Sequence, residues 1–116
     1  MPVSKSYRTF VLEQLDRALL SVRARAMFGG VGLYAGDVFF ALIADDVLYL
    51  RADNSTRSEF ESLGMAPFRP FDEHGPVMRY YQLPEEILEE PETLRHWAER
   101  AIDGARAQRQ GPKKRR

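Results

Sequence analysis

Cysteine is absent from the 116 residues, which removes disulfides, thiolate metal sites and thiol nucleophiles together. Histidine is scarce. His74 and His96 stand far apart, and neither belongs to a His-x-x-x-His or inward Glu-x-x-His pair of the kind that clusters metal ligands. No run approaches the roughly 18 apolar residues of a membrane span, and the N-terminus lacks the apolar core of a signal peptide. A soluble, cytoplasmic chain without membrane attachment is expected. The serines at 4, 6, 21, 55, 58 and 62 fall at helix starts or on helix surfaces, without a His/Asp partner set. The acids Glu85, Glu86, Glu89, Glu90 and Glu92 suit a helix start and form no Asp-x-Asp-x-Asp-Gly loop. These absences argue against an enzyme and against a metal or cofactor.

Net charge is absent too, but the balance is uneven. Six of the 17 basic residues (Arg106, Arg109, Lys113, Lys114, Arg115, Arg116) lie in residues 104–116 with no acid, leaving 11 against 17 acids in residues 1–103, or −6. An acidic globule with a basic tail is not the footprint of a folded surface that binds nucleic acid. Any DNA contact is expected to be nonspecific and electrostatic, through Arg109, Lys113, Lys114, Arg115 and Arg116. Residues 1–108 make one domain, and 109–116 read as a disordered basic tail.

What is present has a clear rhythm. Tyr7, Phe10, Val11, Leu15, Ala18, Leu19 and Val22 form a helical stripe over residues 5–23, with Ser4 or Ser6 as cap. Strands are expected at 25–34, 38–44 and 47–51, joined by turns at Gly36-Asp37 and Asp45-Asp46. Thr56 and Glu59 read as a capping box for a helix over 56–63, stopped by Gly64, with Phe60 and Leu63 inward. Residues 65–71 and 77–83 read as two more strands around an Asp72–Pro76 turn. Pro91 then divides a short turn from a helix over 91–108, whose stripe is Leu94, Trp97, Ala98, Ala101, Ile102 and Ala105. The order α-β-β-β-α-β-β-α gives a two-layer α+β fold with a five-stranded antiparallel sheet. Phe10, Phe40, Leu50, Phe60 and Trp97 are its expected core.

Three features bear on function. Gly29-Gly30-Val31-Gly32 lies between a helix and a strand, the wrong context for a phosphate loop, and reads as a bulge or close backbone packing. The second strand is apolar on both faces by simple alternation: Val38, Phe40 and Leu42 on one, Phe39, Ala41 and Ile43 on the other. Either the last helix covers the second face or a partner does. Tyr49 with Arg51, and Arg79 with Tyr81, share faces by alternation, and Tyr34 can join them. Such a set stacks single-stranded bases in some sheets. It equally suits tyrosines with their rings in the core and arginines paired with acids.

The chain resembles the N-terminal domain of the TfoX/Sxy regulators of bacterial competence genes. The resemblance lies in Met27-Phe28-Gly29-Gly30 with Gly32 and Tyr34, Phe39 and Ala41, and Leu48-Tyr49-Leu50-Arg51. It continues through Asp53 with Thr56-Arg57 and Phe60, Pro67-Phe68, Met78 to Pro84, and Leu94 with Trp97-Ala98, so that it spans about residues 5–105. It implies a fold like that of secretion chaperones and a non-enzymatic role in transcription regulation of DNA uptake through protein contacts. Full-length regulators carry a second, C-terminal domain, and this chain ends in Gly-Pro-Lys-Lys-Arg-Arg, so a stand-alone member is expected.

The reading is therefore a regulatory, protein-binding domain, forming a weak homodimer or a hetero-complex through Phe39, Ala41, Ile43, Tyr49, Arg51, Arg79 and Tyr81. The alternative is a nucleic-acid binder that uses the tail and the aromatic/Arg face. A small-ligand sensor with a pocket between helices and sheet is a further rival.

Overall fold

A computed structural model of the chain describes residues 2–27, 29–69 and 79–110. The Asp72–Pro76 turn, His74, Lys113, Lys114, Arg115 and Arg116 lie outside the described residues. The elements run α1 (Lys5–Arg17), β1 (Arg23–Met27), β2 (Gly30–Ala35), β3 (Val38–Ala44), β4 (Val47–Arg51), α2 (Asn54–Ser62), β5 (Tyr80–Gln82), α3 (Glu85–Leu88) and α4 (Pro91–Gln110). The five strands form one antiparallel sheet in sequence order. The α+β class and the five-stranded antiparallel sheet hold, while several bounds move.

The run 25–34 folds as two strands rather than one. Gly29, at φ +80°, turns the chain, and Met27 pairs with Gly30. A Cβ at Gly30 would stand 2.6 Å from the Ile43 carbonyl oxygen, so close backbone packing accounts for this glycine. Residues 65–69 do not form a full strand. They make one bridge to β5, Pro67 to Tyr81, with the Phe68 N–H on the Tyr80 carbonyl at 2.7 Å and the Gln82 N–H on the Ala66 carbonyl at 3.0 Å.

Helix ends follow local chemistry. The Ser4 Oγ accepts from the Tyr7 N–H, and the Ser4 N–H is held by Asp46 at 2.7 Å, tying the start of α1 to the β3–β4 turn. The capping box of α2 lies three residues earlier than expected, at Asp53 and Thr56. Asp53 accepts from Ser55 and Thr56, and the Thr56 hydroxyl accepts from the Asp53 N–H. Glu59 is thereby released to pair with Arg100 of α4. Pro84 is the cap residue before α3, and Pro91 begins α4, as proline's fixed φ favours.

The core lies between the sheet and the helices. Phe40, Leu50, Phe60 and Trp97 are buried within it, and α4 lies across β3 and β4. Three residues expected inside are not there, and the first, Leu19, is exposed because α1 ends at Arg17, short of the expected residue 23. Phe10 only packs against the core from a half-buried position, and Leu63, 49 % exposed, points to solvent because α2 ends at Ser62. Gln14 of α1 is buried despite its polar side chain, and its amide oxygen accepts from Arg17 at 3.0 Å. No helix among the described residues is long and apolar enough to cross a membrane.

Candidate functional site

A single irregularity decides what the sheet shows on the side away from the helices. Leu33 pairs with Ala41, but Tyr34 pairs with Phe39, leaving Phe40 without its own partner on β2. This is a β-bulge, and it breaks the period-2 alternation of β3. Phe40 and Ala41 consequently both turn to the helices, together with Val38 and Ile43, all in the main core. Phe39, Leu42 and Ala44 turn the other way, into a second cluster with Phe68, Tyr80 and Tyr49.

The outer face is thus built from residues of all five strands. Tyr34 stacks on Phe39 with ring centres 5.2 Å apart, and Phe39 meets Tyr80 at 5.4 Å. Tyr49 meets Phe68 at 5.0 Å. The Arg23 guanidinium lies 5.6 Å over the Tyr34 ring, and Arg51 lies 5.9 Å over Tyr80. Met27 and Phe39 close over Gly32, where a Cβ would meet the Met27 Cε at 2.9 Å and the Phe39 ring at 3.2 Å. Tyr34, Phe39, Tyr49 and Arg51 are half-buried, whereas Tyr80 and Phe68 are buried by the rings around them and by residues 65–69. Burial pushes the Tyr80 and Tyr49 hydroxyls above the ordinary tyrosine range, aided at Tyr49 by the Asp45 carboxylate and opposed at Tyr80 by Arg51. Both stay neutral donors at physiological pH.

The expected interaction face is therefore brought together in part. Phe39, Tyr49 and Arg51 share the outer side. Ala41 and Ile43, both fully buried, belong to the core side because the bulge shifts the alternation after Phe40. Tyr81 pairs with Leu50 and turns inward, stacking on Phe60 at 5.6 Å with its hydroxyl donated to Glu61 at 2.9 Å. Its neighbour Tyr80 takes the outer position instead, one residue out of the expected phase. Arg79 precedes β5 and is exposed, apart from the cluster. The outer members that sequence reasoning missed are Arg23, Met27, Phe68 and Tyr80. Assigning β1 to its own strand was the step needed to find Arg23. Arg109 lies within α4, and the other tail cations are outside the described residues.

The helix side offers a different surface. An open groove of about 740 Å³ is lined by Phe10, Glu85, Glu86, Glu89 and Glu90. Tyr7, in the same helix as Phe10, has its hydroxyl pushed up to about 12, chiefly by burial and then by Glu85. Among the described residues, no group of three His, Asp or Glu side chains is placed to hold a metal ion.

The family model of the TfoX N-terminal domain matches residues 13–105, from the C-terminal end of α1 through the apolar stripe of α4. The chain belongs to the TfoX N-terminal domain family. It is 31 % identical over 87 residues to the DNA transformation protein TfoX1 of Aliivibrio fischeri, covering 74 % of this chain and 42 % of that protein. The chain thus spans about two fifths of the relative's length. The bulge, the outer rings and Arg51 all fall within the matched span of this TfoX N-terminal domain.

Proposed function

We propose that this TfoX N-terminal domain is a non-enzymatic regulatory domain in the control of DNA uptake, and that it acts by docking a protein on the outer face of its sheet. The observation that carries the reading is the arginine-flanked ring cluster on the sheet's helix-free side. Tyrosine and arginine are the residue types that anchor protein interfaces, and half-buried rings lose little conformational freedom on docking. The link to DNA uptake comes from the relative's name, that of a DNA transformation protein.

A second reading, a nucleic-acid binder, is favoured by the charge of the strands. They hold Arg23, Arg25 and Arg51 and no acid. Against it, Tyr34, Phe39 and Tyr80 already pack on one another or under an arginine, so stacking a base would require opening those contacts. Photocrosslinking separates the two. With a photoreactive phenylalanine analogue at Phe39 in the host cell, the expected product is one discrete protein adduct. Adducts with nucleic acid, or none above a solvent-exposed control position such as Glu99, would refute protein docking on this face.

A further inference from the structure

Strand β1 is unlike the other four. Like β5 it lies at an end of the sheet, but among the described residues it pairs only with β2, whereas β5 is also bridged by Pro67. Its residues Arg23-Ala24-Arg25-Ala26-Met27 are exposed or half-buried throughout. Among the described residues its outer backbone edge makes no hydrogen bond. Such an edge is a template for another strand unless something blocks it.

Side-chain chemistry narrows what can pair there. Arg23 and Arg25 stand opposite Tyr34 and Gly32, so both project on the outer face, about 6.8 Å apart along the strand. Arg23 is steadied by the Gly36 carbonyl at 3.0 Å and by the Tyr34 ring. Arg25 is exposed and has no hydrogen-bond or ion-pair partner among the described residues. A second copy of the chain fits poorly. Antiparallel β1–β1 pairing centred on Arg25 sets Arg25 against Arg25, and centred on Ala24 it sets Arg23 against Arg25. Like charges directly opposed destabilise a ladder. A single-stranded nucleic acid offers phosphates but no alternating N–H and C=O groups to satisfy the edge. An extended peptide with carboxylates two residues apart satisfies both the backbone and the arginines.

We infer that the free edge of β1 receives an extended segment of a protein partner as a sixth strand, with Asp or Glu at alternate positions facing Arg23 and Arg25. This rests on the reading of the domain as a protein-docking module and names the chemistry of its partner.

The test pans a displayed library of random dodecapeptides against the full chain. The expected winners carry acidic residues at alternate positions and slow amide hydrogen exchange across residues 23–27 when added as free peptides. Arg25→Glu, at an exposed side chain with no hydrogen bond or ion pair among the described residues, should weaken them about tenfold, and lysine in place of the peptide acids should restore binding to that variant. Three outcomes overturn the inference: no enriched sequence, winners without alternating acids, or binding indifferent to Arg25→Glu. Winners that leave β1 exchange unchanged but are lost on Phe39→Ala would overturn the edge while sparing the protein-docking reading. A twelve-residue oligo-dT that protects residues 23–27 where no peptide does would overturn both.

Discussion

Two helices of this domain end in the same hydrogen-bond motif, and one of them carries the wrong residue for it. At the end of α2 the Gly64 N–H bonds the Glu61 carbonyl and the Met65 N–H bonds the Phe60 carbonyl, each at 3.0 Å. At the end of α1 the Leu19 N–H bonds Asp16 at 2.9 Å and the Leu20 N–H bonds Leu15 at 3.0 Å. Both are Schellman motifs, which require left-handed backbone at the residue after the cap. Gly64 meets the requirement at φ +77°, but Leu19 sits at φ +65° with a branched side chain. Left-handed backbone costs a non-glycine residue about 1–2 kcal/mol, and glycine's extra unfolded-state freedom returns about 0.5–1 kcal/mol of any gain. Leu19 is 77 % exposed, so its removal forfeits little burial. Leu19→Gly should therefore stabilise by about 0.5–1 kcal/mol, raising Tm by about 3–5 °C. Thermal melts and urea titrations by circular dichroism measure it, with an unchanged m-value showing that both chains expose the same surface on unfolding. The mirror change, Gly64→Ala, should cost about 1 kcal/mol. If Leu19→Gly is neutral or destabilising while Gly64→Ala behaves as stated, the exposed leucine makes a contact worth more than its strain.

Trp97→Ala should cost about 3–5 kcal/mol in urea unfolding, because the buried indole packs 4.7 Å from the Phe60 ring and carries the Arg100 guanidinium 5.3 Å over its own ring. Asp53→Ala should cost about 1 kcal/mol by removing the cap of α2, and Asp53→Asn should cost less because its oxygen still accepts. The Asp53 carboxyl is held below its ordinary value first by the Thr56 N–H. Its contribution is hence complete above the unfolded pKa near ~3.9 and is lost as pH falls through the lower folded value, a loss that Asp53→Asn should abolish. Gly30→Ala should destabilise by about 1–3 kcal/mol, since the new methyl must displace the Ile43 carbonyl backbone, which cannot yield as a flexible side chain would.

Element types were legible because their signals are local. Periodicity marked α1 and α4, Pro91 marked the break before α4, and Gly64 marked the end of α2. The antiparallel class followed from turns at Gly36 and Asp45-Asp46, where the structure places φ of +63°, +51° and +57°. The face of each residue was less legible, because alternation is a count, and one inserted residue inverts everything after it. Phe40 is that residue, and its bulge is set by cross-strand pairing that no single segment reveals. Tyr80 and Tyr81 were exchanged for a related reason: adjacent tyrosines look alike in sequence, and only pairing with Leu50 and Arg51 decides which turns inward. Leu63 was misplaced because α2 ends one residue before it, at Ser62, so that Leu63 is the cap and not part of the inward stripe.

Net charge summed over the body describes neither of its two surfaces. The acidic body suggests a surface that repels anions, but that sum averages two layers with different charge. The strands carry three arginines and no acid, whereas Glu85, Glu86, Glu89 and Glu90 line the helix-side groove. At physiological salt the Debye length is about 8 Å, so charges across a two-layer domain are largely screened from each other. A partner approaching the outer face meets Arg23, Arg25 and Arg51 nearly independently of the glutamates behind the sheet. Arg51→Glu should consequently slow association of an acidic peptide selected on this domain, with the loss shrinking as salt rises. Glu89→Lys, the same size of change in net charge, should leave the rate nearly unaltered. Stopped-flow association at two ionic strengths distinguishes the cases. Equal effects from the two variants would mean that the domain's total charge, and not the arginine-bearing face, governs the encounter.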